Sequence, residues 1–144
     1  MDFLIAYALQ FVGVSYKWGG NNAIEGFDCS GFVQELLASV GMDPPGRDTS
    51  QSLYNFFNKP INIIAEPKEG ALVFYGQTKD HITHVAFCID GHRVLEAGGG
   101  NRLTQSAQDA AKQSAVVRMR PHNRRVDIVA IIMPDYPDWM IWRP

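Results

Sequence analysis

Reactive chemistry in this chain concentrates in one short segment, Phe27-Asp28-Cys29-Ser30-Gly31-Phe32. The apolar residues after Cys29 recur at helical spacing, so the cysteine stands at a helix start. Unpaired backbone N–H groups and the helix dipole there favour thiolate over thiol. Ser30 and Gly31 are small, which leaves room for a carbonyl carbon to approach the sulfur and for a backbone N–H to face an oxyanion. By position alone, Cys29 could equally be a small buried residue packing a helix on a sheet. The second cysteine, Cys88, lies inside the apolar run Val85-Ala86-Phe87-Cys88-Ile89 and reads as a small hydrophobe.

A thiol nucleophile needs a base, and the chain offers four histidines. His81 and His92 fall in polar turns and His122 follows a proline. His84 opens the apolar run of a strand, from which its ring can project at a sheet edge toward a helix N-terminus. A base also needs a group that accepts its other ring proton. Glu96, twelve residues beyond His84, is the candidate, because the turn Asp90-Gly91-His92 folds its strand back beside that of His84. The alternative for Glu96 is an exposed strand glutamate. No paired cysteines or spaced His-Glu-x-x-His arrangement suggests a metal. Gly98-Gly99-Gly100 lacks the Lys-Ser/Thr of a phosphate loop, so no cofactor is expected.

The elements that must position these residues follow from periodicity. Phe3, Leu4, Tyr7, Ala8 and Phe11 predict an amphipathic helix over residues 2–12, stopped by Gly13. Residues 14–27, rich in Gly, Asn and aromatics, predict an irregular loop. A helix over 29–40 buries Phe32, Val33, Leu36 and Leu37 and ends at Gly41. Pro44-Pro45-Gly46 turns the chain, and Asp48 or Thr49 caps a short helix through Phe57. Strands then follow at Ala71–Tyr75, Thr83–Ile89, Arg93–Ala97, Ala115–Met119 and Asp127–Met133, with a further helix at Thr104–Gln113. Helices first and an antiparallel sheet afterwards predict an α+β fold, and 144 residues, 46% of them hydrophobic, predict a single domain over residues 1–144.

Charges nearly balanced, with a formal net charge of −2, give no sign of an electrostatic nucleic-acid binder, and none is expected. The cluster Arg118, Arg120, Arg124 and Arg125 reads as a solvated loop face. No run is long enough for a membrane span. The opening residues lack the basic region of a Sec-type signal, which leaves action in the cytoplasm or export by another route.

These residues resemble the NlpC-type papain-like cysteine peptidases, which cut peptides of the bacterial cell wall. Gly13-Val14-Ser15-Tyr16-Lys17-Trp18-Gly19-Gly20 looks like the family's Gly-x-Pro-Tyr-x-x-Gly-Gly segment, and Gly26-Phe27-Asp28-Cys29-Ser30-Gly31-Phe32-Val33 its nucleophile segment. Arg47-Asp48-Thr49-Ser50-Gln51 resembles its Arg-x-Thr-x-x-Gln region, and Pro67 to Phe74 the strand before the histidine. His84-Val85-Ala86-Phe87 matches the histidine strand, with Glu96 at the third catalytic position; the resemblance covers roughly residues 3–97.

The resemblance implies a papain-like fold, with Cys29 attacking the scissile carbonyl, His84 shuttling the proton, Glu96 orienting it and the Tyr16 hydroxyl aiding oxyanion or substrate binding. It also implies that Asp28 and Ser30 hold the substrate's free amino end and that the substrate is a peptidoglycan peptide, cut between γ-D-glutamate and a diamino acid. Read from residue type alone, Asp28 serves equally as a helix cap, and Tyr16 as a core aromatic. Three positions depart from the family pattern: Glu96 stands where His, Asn or Gln is usual, Ala71 replaces an aspartate, and Val14-Ser15 replaces the usual turn. Delivery by a phage particle (bacteriophage), a lysis system or a secretion apparatus is the expected route to the wall. Two other functions fit the same residues: an amidase or acyltransferase on a non-wall amide, or a catalytically silent phage-tail assembly module anchored by Trp139-Met140-Ile141-Trp142.

Overall fold

Capping chemistry sets where the central helix begins. Asp28 is the N-cap of helix α2 (Cys29–Ser39), its side chain accepting a hydrogen bond from Gly31 N at 2.6 Å, so the first helical residue is the cysteine itself. The structure is a computed structural model and describes residues 1–46, 48–98, 108 and 115–141. The expected helix at Thr104–Gln113, the end of the Gly98-Gly99-Gly100 segment, Arg47 and Trp142 therefore lie wholly or mainly outside the described residues.

Before α2 comes α1 (Asp2–Leu9) and after it α3 (Ser50–Phe57). α1 ends earlier than its apolar periodicity predicts. Gln10, Phe11 and Val12 turn to bonds three residues back, and Gly13 then adopts φ 92°, a conformation that ends helices readily. The loop after it has order of its own. Gly13 N and Tyr16 N bond to Val117 O and Ala115 O at 2.8 and 2.9 Å, which ties residues 13–16 along a later strand. Beyond them β1 (Asn21–Asn22) and β2 (Gly26–Phe27) form a small antiparallel hairpin, turned by the Asn22 side chain accepting from Ile24 N and Glu25 N.

The remaining strands, β3 (Leu72–Thr78), β4 (His81–Cys88), β5 (Arg93–Ala97), β6 (Val117–Pro121) and β7 (Ile128–Ile132), form one antiparallel sheet in the order β6-β5-β4-β3-β7. β4 is thus the middle strand, and it starts at His81, so His84 lies inside it. The expectation that His84 projects from a sheet edge is corrected: β3 extends to Thr78, and its pairing with His81 lengthens β4 backward. A short C-terminal helix, α4 (Asp138–Ile141), closes the described chain.

Alternation along the strands sorts the apolar side chains into two layers. Leu72, Phe74, Val85, Phe87, Leu95 and Ile132 join Phe32, Val33, Leu36 and Leu37 of α2 in the main core. Val73, Tyr75, Ala86, Cys88 and Val94 form a second cluster. Each large side chain buried in the main core contributes on the order of 1.5–3 kcal/mol. That burial holds α2 against the sheet and fixes where its first residue lies.

One contact sets how closely the cysteine helix meets the loop before it. A Cβ built on Gly31 would fall 2.0 Å from Gly20 O and 2.9 Å from Asp28 Oδ1. Helix propensity alone predicts that Gly31→Ala stabilises by up to about 1 kcal/mol. The close approach reverses the sign, and a net loss of about 1–3 kcal/mol is expected. Thermal or urea unfolding of the variant checks this; equal or greater stability than the parent would refute the close-packing argument.

Candidate active site

Two strands and one helix terminus supply the site. The β4–β5 register runs Phe87↔Leu95 and Cys88↔Val94. Carried one step further it sets Glu96 opposite Ala86, so His84 and Glu96 are diagonal neighbours on one sheet face. The twelve-residue spacing is thus realised as contact: His84 Nε2 and Glu96 Oε2 are 2.6 Å apart, both side chains buried. With Nε2 engaged by the carboxylate, Nδ1 is the nitrogen left for Cys29. Cys29 is partly exposed, and it and the imidazole favour each other's charged forms.

The electrostatics favour an ion pair. Burial alone would push the His84 imidazole down, but bonds and charges from Cys29 and Glu96 outweigh it and raise the group to about 9. Burial likewise would raise the Cys29 thiol; the hydrogen bond and charge of His84 and a bond from Ser50 reverse this, and it is lowered. Glu96, only 2% exposed, would be raised by burial, yet His84 and Arg124 bring it down to about 2. Cys88 is pushed up to about 12, by burial first and then by Asp90, which suits an inert core thiol.

The carboxylate has a second set of partners. Arg124 Nη2 donates to Glu96 Oε1 at 2.9 Å, and Arg120 Nε lies 3.6 Å from the same oxygen. Arg125 forms a two-point pair with Asp127 and lies over the Tyr75 ring at 5.1 Å, while that ring lies 5.5 Å from the His84 ring. The reading of these arginines as a solvated loop face is therefore corrected. Net charge patterning places cations at the surface by default, whereas this tertiary structure brings Arg120 and Arg124 to a buried anion and pairs Arg125 with Asp127.

Of the other sequence candidates, Asp28 acts as helix cap, and Ser30, 5% exposed, donates to Asp28 Oδ1 at 3.2 Å. Tyr16 is held between Phe27 of β2 and Ala115, just before β6. Its hydroxyl is raised in titration by burial first, then by the charges of Cys29 and Asp28, so it shares their neighbourhood. The exposed-strand alternative for Glu96 is excluded by its burial. Ser50, whose Oγ lies 3.3 Å from Cys29 Sγ, and Arg124 were not among the candidate site residues, since each reaches its partner from a distant segment that local pattern does not connect to it. Among the described residues no group of three or more His, Cys, Asp or Glu could hold a metal ion, and no helix is long and apolar enough to cross a membrane.

A model of the NlpC/P60 family matches residues 13–120. The bifunctional muramidase/DL-endopeptidase CwlT of Bacillus subtilis is 36% identical over 102 residues, which cover 67% of this chain and 30% of that protein. The gamma-DL-glutamyl hydrolase of the same organism is 30% identical, over 72% of this chain and 24% of its own length. The chain thus spans less than a third of these curated relatives. Among solved structures, an NlpC/P60 family protein from Bacillus cereus superposes with TM-score 0.71 at 25% identity, over 94% of this chain and 40% of that one. RipD of Mycobacterium tuberculosis, described as a non-catalytic NlpC/p60 domain protein adapted to peptidoglycan binding, gives 0.66 at 25% identity, over 91% and 94%.

Linkage converts the raised imidazole into a measurable window. A group whose folded value lies above its ordinary 6.5 contributes stability that is complete below that value and is lost as pH rises through about 9. NMR titration of the His84 ring is expected to show a midpoint near 9, and Glu96→Gln to move it clearly downward by removing the anionic partner. A midpoint at the ordinary value in the unaltered protein would contradict the ion pair.

Proposed function

The chain belongs to the NlpC/P60 family, and on that premise we propose that it is a cysteine peptidase hydrolysing peptidoglycan stem peptides, at the bond from γ-D-glutamate to a diamino acid, through a Cys29 acyl-enzyme. The observation that carries this reading is the chain of contacts from Glu96 through His84 to a partly exposed cysteine at a helix N-terminus. We read residues 1–144 as one such domain.

In the proposed reaction the Cys29 thiolate attacks the scissile carbonyl carbon, and the C–N bond breaks as His84 gives its proton to the departing amine. Water then attacks the thioester, His84 takes a proton from it, and the Sγ–C bond breaks to restore the thiolate. Glu96, ionised and buried, holds the ring by Nε2 and stabilises the imidazolium, as the third member of such a triad does. The N–H groups at the start of α2 suit the oxyanion. Tyr16, in the electrostatic neighbourhood of Cys29 and Asp28, is assigned to oxyanion or substrate binding. Asp28 with Ser30 is assigned to the free amino end, an ammonium group that a carboxylate and a hydroxyl can bind. The names of CwlT and of the gamma-DL-glutamyl hydrolase support the bond chosen.

The test is release of free amines from stem peptides, with products identified by mass spectrometry. Cys29→Ala is expected to abolish turnover. The pH profile is expected to be bell-shaped, with its alkaline limb near 9 where His84 loses its proton. Cleavage of non-wall amides alone would move the activity to an amidase or acyltransferase. Binding without cleavage would place the chain beside RipD, and full activity in Cys29→Ala would remove the mechanism.

A further inference from the structure

Cys29 Sγ has a neighbour besides the imidazole. Ser50 Oγ lies 3.3 Å from it, and Ser50 is 6% exposed. Ser50 is the first residue of α3, as Cys29 is of α2, so two helix starts bring their first side chains to one sulfur atom.

The first turn of α3 is fixed from both directions. Thr49 and Ser52 form a reciprocal capping box, and Ser52 Oγ also donates to Asp48 Oδ1 at 2.8 Å. Gln51 meanwhile grips the β3–β4 hairpin: its Nε2 donates to Lys79 O at 2.9 Å, and its Oε1 accepts from Ile82 N at 2.8 Å. His84 lies two residues beyond Ile82 on the same strand. Ser50 and His84 are therefore referenced to one hairpin, which fixes the hydroxyl and the imidazole relative to each other and to the sulfur.

A hydroxyl beside a neutral thiol either donates or accepts; beside a thiolate it can only donate. We propose that Ser50 is a further catalytic residue of this site, its hydroxyl donating to the Cys29 thiolate and holding Sγ in the orientation of attack. The assignment rests on the reading of Cys29 as nucleophile. No proton leaves Ser50. As the Sγ–C bond forms, negative charge passes from sulfur to the carbonyl oxygen and the Ser50 bond weakens. As the thioester breaks, charge returns to sulfur and the bond strengthens, so Ser50 assists the departure of the thiolate in deacylation. The fall in the Cys29 thiol through its bond to Ser50 is in the same direction.

Alkylation of Cys29 by iodoacetamide as a function of pH, followed by mass spectrometry, tests this without any peptide substrate. In Ser50→Ala the midpoint is expected to rise, with the rate below the parent's midpoint falling about three- to tenfold, the effect of losing a charge-assisted hydrogen bond. Ser50→Thr, which keeps the hydroxyl, is expected to retain the parent midpoint, and both variants to melt within a few degrees of the parent. On stem peptides Ser50→Ala should lower kcat and leave KM unchanged. A parent-like midpoint in Ser50→Ala, or an alanine-like midpoint in folded Ser50→Thr, overturns the assignment. If the midpoint moves as expected while the parent cleaves no wall peptide, the hydrolase reading fails and the thiolate-donor role of Ser50 stands.

Discussion

A carboxylate that is almost wholly removed from water governs the arrangement of this protein. Glu96 can stay ionised at 2% exposure only because both its oxygens are occupied, one by the His84 ring and the other by Arg124. An unpaired charge in such a place would cost several kcal/mol. The constraint therefore propagates outward: β4 and β5 must keep the register that sets the two side chains diagonally, and β6 must run on into the turn that presents Arg124. Such a network is weak evidence for stability, since a desolvated pair can cost as much as it returns. Its value lies in direction, because a carboxylate held at both oxygens fixes the imidazole ring with one nitrogen turned to the sulfur.

The thiol end of the chain is governed by a contest of similar kind. Desolvation of Cys29 disfavours the thiolate, while the imidazolium, the helix start and the Ser50 hydroxyl favour it. The second group wins because the His84 bond and charge and the Ser50 bond act together on one atom. That convergence requires α2 to approach the loop at Gly20 more closely than any side chain at residue 31 would permit. Packing at a glycine and ionisation of a cysteine are thus parts of one arrangement. The Glu96 position, where family members usually carry a neutral or basic side chain, adds charge to this balance, and the arginines of β6 and the turn after it offset that charge on the side away from the histidine.

Much of the plan is legible in residue order. Asp28 before a run of apolar residues at helical spacing determines that Cys29 starts a helix, because capping and amphipathicity are local. The twelve-residue step from His84 to Glu96, folded at the register that pairs Phe87 with Leu95, puts both side chains on one face, because side chains alternate along strands. The α+β order and the candidate nucleophile, base and orienter follow from those two periods. Local pattern could not show that β4 begins at His81 and sits in the middle of the sheet, since strand order depends on pairings with β3 and β5. Nor could it show that Arg124 meets Glu96 across 28 residues, that Ser50 meets Cys29 across 21, or that Gln51 meets Ile82 across 31. Sequence by itself determined which groups could react and on which elements they ride. Tertiary structure alone decided which charges and hydroxyls surround them, because those contacts depend on how separate segments pack and on no repeat within any one of them.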